Sequence, residues 1–320
     1  MAPGRTLVSS ITLALDWTPN TNHTGFYLAE AAGYYEEAGL DVEFLSPATD
    51  DYEITPAKRV ATGRSTLAIA PSESAVSYHT HPEYASLVAC AAVCQRDTSA
   101  IAALAESDID RPRDLDGRTY ASYDARFEDD IVRQLIRNDG GEGDVTITTP
   151  PKLGIPNTLL DGDADATWVF MPWEGLEAER EGIDLTPFSL EAYDVPYGYT
   201  PAVLAHPDTI AERPDELSTF FAASARGYRE AATDPDRGAQ ALIEAADWEF
   251  EDEEFVHESQ RRIADAYLTP DEEWGVMNRE RWDAFVSWLT EEGILTDLDG
   301  EAIPRGELDV DGLYTTRLLD

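Results

Sequence analysis

Residues 11–47 read ITLALDWTPNTNHTGFYLAEAAGYYEEAGLDVEFLSP, and this stretch decides the fold class. Ile11, Leu13 and Leu15 recur at every second position, the period of a strand. Residues 24–39 read as a helix ending at Gly39, a C-terminal cap glycine. Residues 40–47 form the next strand. The same rhythm continues outward. TPAKRVATG at 55–63 is a short helix with Pro56 early, where a missing N–H costs little. STLAIAP at 65–71 is a strand, and Ser72 is the expected cap of the helix that follows. The apolar run 84–94 closes a β-α-β-α-β-α-β series. Such a series implies a mostly parallel sheet with helices on both faces.

The pattern then restarts. Residues 114–124 form a strand entering a helix at 125–141, and strands follow at 144–149 and 164–170. Residues 184–190 and 194–207 read as strands leading back, and beyond Asp208 the chain is mostly helical. Two α/β lobes with a helical C-terminal section account for this order. Crossings near 96–99 and 196–202 would make the first lobe discontinuous: residues 1–97 plus 200–320, with 98–199 as the second.

At 320 residues the chain is long enough for about two domains. Its 42% hydrophobic and 10% aromatic content is that of a globular protein rather than a disordered one. The charge excludes whole classes of partner. Lys plus Arg total 23 and Asp plus Glu total 64, a net −41. Nucleic-acid phosphates and anionic membranes both need a basic face. The acid is spread along the chain, so an acidic run such as EFEDEE at 249–254 reads as a solvated face. Spread acid of this density points to a salt-rich solvent, where counter-ions screen the repulsion. Cys90 and Cys94 sit in apolar LVACAAVCQ and read as small buried hydrophobes, with no disulfide framework. No run approaches the ~18 apolar residues of a membrane span. The N-terminus shows no signal peptide, so the chain reads as cytoplasmic as written, or as an extracellular mature form with a new start Met.

Five clusters could carry chemistry, three of them after strands, where open α/β sheets bind ligands. Asp16-Trp17, with Asn22 and His23, offers a carboxylate, a flat aromatic face, an amide and an imidazole. Ser72 and Glu73 open a helix whose free N–H groups suit an acceptor. Tyr123 holds the equivalent place in the second half. Trp168, Trp173 and Glu174 combine an aromatic wall with an acceptor, and Tyr197 and Tyr199 lie near the return crossing. His79 and His81 have no third ligand nearby in sequence and read as ordinary surface residues; no metal site is expected. No nucleophile elbow, P-loop or dinucleotide fingerprint occurs.

DWTPNTNHTGFYLAEAAGYYEEAGLDVEF, APSES, DLDGRTYASYDARFEDDIV and GDADATWVFMPWEG together resemble the sulfonate/thiamine-pyrimidine periplasmic-binding family, over residues 11 to about 240. The resemblance implies a type II periplasmic-binding-protein fold: two α/β lobes, a double-crossover hinge and a ligand in the cleft between them. It is strongest to the branch handling thiamine pyrimidines, which holds two kinds of protein. One is a transporter's binding protein, implying a pyrimidine ligand, an ABC permease as partner and no cofactor. The other is a thiamine pyrimidine synthase, implying pyridoxal phosphate, iron, an aldimine-forming lysine and a sacrificial histidine. Ala70 and Ser74 stand where that lysine and histidine align, and VPYGYTPAVLAHP replaces a cysteine-dense run. A pyridoxal aldimine needs a lysine, and only Lys58 and Lys152 exist. The reading is therefore a binder. In it Trp17 stacks on the ring with one of Trp168, Trp173 or Tyr123. Asp16 and Glu174 accept from the exocyclic amine, Asn22 and His23 donate to ring nitrogen, and Ser72 and Glu73 hold the far substituent.

Overall fold

A computed structural model describes residues 9–50, 52–150 and 153–319, the side chains at 155–157 excepted. Its strands are β1 (Ser9–Ala14), β2 (Leu40–Leu45), β3 (Leu67–Ala70), β4 (Val88–Ala92), β5 (Ser99–Leu104), β6 (Thr119–Ala121), β7 (Thr146–Thr148), β8 (Ala166–Phe170), β9 (Leu185–Phe188) and β10 (Ala202–Ala205). The α-helices are α1 (Thr24–Ala31), α2 (Tyr34–Glu37), α3 (Pro56–Ala61), α4 (Ser72–His79), α5 (Glu128–Asn138), α6 (Leu176–Arg180), α7 (Pro207–Glu212), α8 (Pro214–Thr233), α9 (Pro235–Ala245), α10 (Glu253–Ile263), α11 (Arg279–Glu291) and α12 (Val310–Leu313).

The chain divides into two compact units. The first holds the described residues of Met1–Asp97, Tyr199–Arg279 and Asp309–Asp320; the second holds Thr98–Gly198 and Glu280–Leu308. The rhythm of the sequence put 280–308 with the first lobe. In the structure side-chain contacts tie it to the second: Phe285 packs on Tyr197 at 5.1 Å between ring centroids, and Arg281 donates to the Gly198 carbonyl at 2.6 Å. Arg126 likewise donates to the Thr296 carbonyl.

The first unit's sheet has the order β2-β1-β3-β10-β4 and the second's β7-β6-β8-β5-β9. In the first, β1 runs parallel to β2 and β3, with Ile11 opposite Val42 and Leu13 opposite Leu67. β10 lies antiparallel between β3 and β4. In the second, β6 runs parallel to β7 and β8, while β5 lies antiparallel to β8 and β9. Both sheets are thus mixed rather than mostly parallel. Each takes in one antiparallel strand, the first strand after the chain crosses from the other unit. β5, SAIAAL, is small, apolar and without alternation, so periodicity gave no sign of it. β10 is four residues long, much shorter than the strand expected over 194–207.

The helix expected over 24–39 is broken. Gly33 adopts φ +74°, the left-handed region that glycine enters without a Cβ clash, so α1 stops and α2 starts at a new angle. α1 packs on α8 at close range. A Cβ at Gly25 would stand 2.2 Å from the Tyr228 ring, so a bare backbone is needed there. Around this crossing Phe26, Tyr35, Phe220, Tyr228 and Trp274 form a buried aromatic cluster, with Tyr228 stacked on Trp274 at 4.6 Å. Each such side chain contributes roughly 1.5–3 kcal/mol of burial. Cys90 and Cys94 are buried core thiols not joined in a disulfide, and burial pushes the Cys90 thiol up to about 12. Among the described residues, no helix is long and apolar enough to cross a membrane.

Candidate functional site

The residues singled out in the sequence fall on two strand-end faces, one in each unit. Because the two sheets share one order, the faces correspond: the segment after β1 matches that after β6, and the segment after β3 matches that after β8.

In the first unit Asp16 and Trp17 follow β1. Both are half-buried, and the Trp17 ring lies 5.0 Å from that of Tyr52. Asn20 then caps a single turn, Thr21–His23, that leads into α1. Its side-chain oxygen accepts from the Asn22 N–H at 2.9 Å, and its own N–H is bound by His23 Nδ1 at 3.2 Å. The other ring nitrogen of His23, Nε2, lies 2.7 Å from Asp16 Oδ1. His23 is 0% exposed, so both ring nitrogens are used inside the protein and neither faces solvent. Asn22 is buried as well, its Oδ1 within reach of the Cys94 thiol. Of the four, only Asp16 and Trp17 are partly exposed.

This turn is held from behind by residues more than 200 positions away. Tyr228 donates its hydroxyl to the Asn22 carbonyl at 2.7 Å, and Tyr267 to the Thr21 carbonyl at 2.5 Å. Ser259 and Thr21 exchange a hydroxyl hydrogen bond at 2.7 Å. Burial raises both tyrosines well above their ordinary value, so both remain protonated donors. Nothing in the local sequence announced this support; the amphipathic periods of α8 and α10 read only as core.

After β3, Pro71 caps α4, and Ser72 is the first helical residue rather than the cap. Ser72 and Glu73 are buried. The Ser72 N–H bonds the Tyr199 carbonyl at 2.8 Å, while its hydroxyl has no partner among the described residues. Tyr199 is itself buried, its hydroxyl accepting from the Asn278 N–H at 3.0 Å, which makes it a structural neighbour of Ser72. His79 does not lie idle on the surface: Nε2 is 3.0 Å from the Leu87 carbonyl. His81 joins a three-ring group with Tyr78 and Tyr84.

In the second unit Tyr123 follows β6 and is 46% exposed. Its loop is organised by Glu128, a buried carboxylate at the start of α5. Glu128 accepts from the Tyr120 hydroxyl at 2.7 Å and from the N–H groups of Tyr123 and Ala125. Burial raises its carboxyl above the usual range against those hydrogen bonds, which pull it down. After β8, Glu174 accepts from the Phe170 N–H at 2.9 Å and so fastens the turn Met171–Gly175, on which Trp173 is half-buried. Trp168 lies 5.3 Å from Tyr197, and the Tyr123 hydroxyl points to the Trp168 carbonyl at 3.4 Å. Trp168 and Tyr197 are therefore an aromatic pair, with the Tyr123 hydroxyl at the Trp168 backbone.

Lys58 is exposed on α3, and Lys152 lies outside the described residues. Ala70 ends β3 as a buried strand residue, and Ser74 is in the first turn of α4. Among the described residues no group of three or more His, Cys, Asp or Glu side chains is placed to hold a metal ion.

Known proteins place this architecture. The chain is 25% identical over 288 residues to the formylaminopyrimidine-binding protein of Halalkalibacterium halodurans, covering 88% of this chain and 85% of that one. Among solved structures it is similar to the nitrate-binding protein NrtA from Synechocystis PCC 6803, with TM-score 0.68, 14% identity, and 97% and 87% coverage of the two chains. It is also similar to the alkanesulfonate-binding protein SsuA from Xanthomonas axonopodis pv. citri, with TM-score 0.67, 10% identity, and 90% and 95% coverage. These likenesses establish the periplasmic-binding-protein fold expected from the sequence. Residues 20–238 match the family described as NMT1/THI5 like, more than half of the chain, and the chain belongs to that family.

Proposed function

We propose that this protein reversibly binds an aminopyrimidine precursor of thiamine, of hydroxymethyl- or formylaminomethyl-pyrimidine type, as the substrate-binding component of an ABC importer. The observation that carries the reading is Trp17 beside Asp16 at the end of β1, a flat aromatic surface next to a carboxylate acceptor held in place by a buried turn. That pairing suits a planar heterocycle bearing an amine. Similarity to a formylaminopyrimidine-binding protein across 88% of the chain supports the ligand class. Ser72, with its buried free hydroxyl, and Glu73 take the substituent at the far end. Within the second unit, the exposed Tyr123 and the Trp168–Tyr197 pair are aromatic side chains of the same chemistry. The net charge of −41 fits work in a salt-rich medium.

The test is a titration in molar KCl, first with hydroxymethylpyrimidine and separately with pyridoxal phosphate. Saturable quenching of tryptophan fluorescence by the pyrimidine, with no visible aldimine band, is the expected result. An aldimine band that Lys58→Ala or Lys152→Ala abolishes would overturn it in favour of an enzyme.

A further inference from the structure

The turn after β1 fixes a hydrogen atom as well as a shape. His23 Nδ1 receives the Asn20 N–H at 3.2 Å and so carries no proton, which leaves the hydrogen on Nε2, 2.7 Å from Asp16 Oδ1. The ring cannot turn. It is 0% exposed, Asn20 is tied to Thr18 O and the Asn22 N–H, and the carbonyls on either side of the turn are held by Tyr228 and Tyr267. Asp16 Oδ1 is therefore occupied by a donor, while the side chain is 19% exposed and keeps acceptor sites for something outside.

We infer that His23 is a positioning residue that acts through Asp16, and that the locked Nε2–H makes this pair present only acceptors, selecting a ligand edge with an N–H donor over one with an oxo group. The inference rests on the pyrimidine reading above. It carries a consequence that a merely supportive histidine would not have. In Asp16→Asn the same Nε2–H must bind the amide oxygen, which turns the amide NH2 toward the ligand. The half-site then offers a donor, and the preference inverts.

The experiment compares 4-amino-5-hydroxymethyl-2-methylpyrimidine with its 4-oxo analogue on five proteins: wild type, D16N, H23Q, H23L and D16N/H23L. A hydrogen bond to a charged group makes the wild-type preference for the amine about ten- to a hundredfold. D16N should favour the oxo analogue. H23Q, whose amide keeps a donor toward Asp16, should retain the wild-type preference. D16N/H23L should lose the inversion, because nothing then orients the amide. Long-range 1H–15N correlation of the wild-type imidazole, which needs neither ligand nor variant, should show the Nε2–H tautomer. A proton on Nδ1, or a D16N protein that still prefers the amine, would overturn the inference alone. A wild type that binds no aminopyrimidine would overturn the functional reading with it.

Discussion

Gly227 of α8 rests against the backbone of Gly25 in α1 so closely that a Cβ at position 227 would stand 2.0 Å from the Gly25 carbonyl oxygen. No rotamer relieves a clash between a Cβ and a backbone atom, so the helices must move apart. Gly227→Ala should therefore cost about 1–3 kcal/mol or more, as overpacking of a tight core does. Because α1 begins one residue after His23, the shift should also weaken pyrimidine binding. Urea unfolding and the fluorescence titration, run on the same variant, check both effects.

Tyr267→Phe removes one of two donors to the Thr21 carbonyl, the other being the Thr24 N–H. Losing one such hydrogen bond costs about 0.5–1.5 kcal/mol. The expected outcome is a lower urea midpoint and weaker ligand binding, with far-UV dichroism unchanged. A binding constant equal to that of the wild type would show that the turn keeps its shape without this support.

Trp17→Ala should weaken pyrimidine affinity by about 1–3 kcal/mol if the indole stacks on the ring. Trp248, 41% exposed and far along the chain, is the control: Trp248→Ala should leave the titration end-point affinity unchanged. Equal effects from both would count against the assignment.

Asp139 gives a pH signature. Arg111 grips both of its oxygens and the Arg113 N–H adds a third bond, so its carboxyl is held below the ordinary value of 3.8. A depressed folded value stabilises the protein above 3.8, and that contribution disappears as pH falls through the folded value. Asp139→Asn should therefore melt below wild type at pH 7, and the gap should close as melts are repeated down to pH 3.

The net charge of −41 predicts a salt response opposite to that of a protein held by surface ion pairs. Repulsion among carboxylates is screened over ~10 Å at 0.1 M salt and ~3 Å at 1 M. The thermal midpoint should rise steadily from dilute buffer to molar KCl. A flat or falling curve would remove the salt-rich reading.

Much of the fold was legible where side chains alternate against a polar background. β1 and β2 declared themselves that way, while β3, a short buried apolar run, was marked by the Pro71 turn that ends it. β5 was not legible, because a strand of small and aliphatic residues, buried up to Leu104, has no polar face to set a period. Gly33 was read through as helix because glycine is tolerated there; its φ of +74° breaks the helix instead. For the site, residue types were readable and directions were not. His23 looked like a ligand donor, but which way its nitrogens face is decided by Asn20 and by burial beneath helices from the far end of the chain. The segment 280–308 misled for the same reason: Phe285 and Arg281 find their partners, Tyr197 and Gly198, through contacts that no local pattern encodes.

The position of β10 sets the order in which the molecule can be assembled. β3 and β4 are near neighbours in sequence, yet they do not pair; β10 must come between them, more than 100 residues later. The outer side of β4 is then met by Gly275, whose carbonyl accepts from the Ala92 N–H, and by Thr315, whose N–H bonds the Ala89 carbonyl. As the chain emerges during synthesis, β4 is an apolar strand with both hydrogen-bonding edges open until β10 is made, and its outer edge is not fully met until residue 315. Nascent first units are thus the species most exposed to pairing with one another, and a chaperone that shields β4 is worth most over that interval.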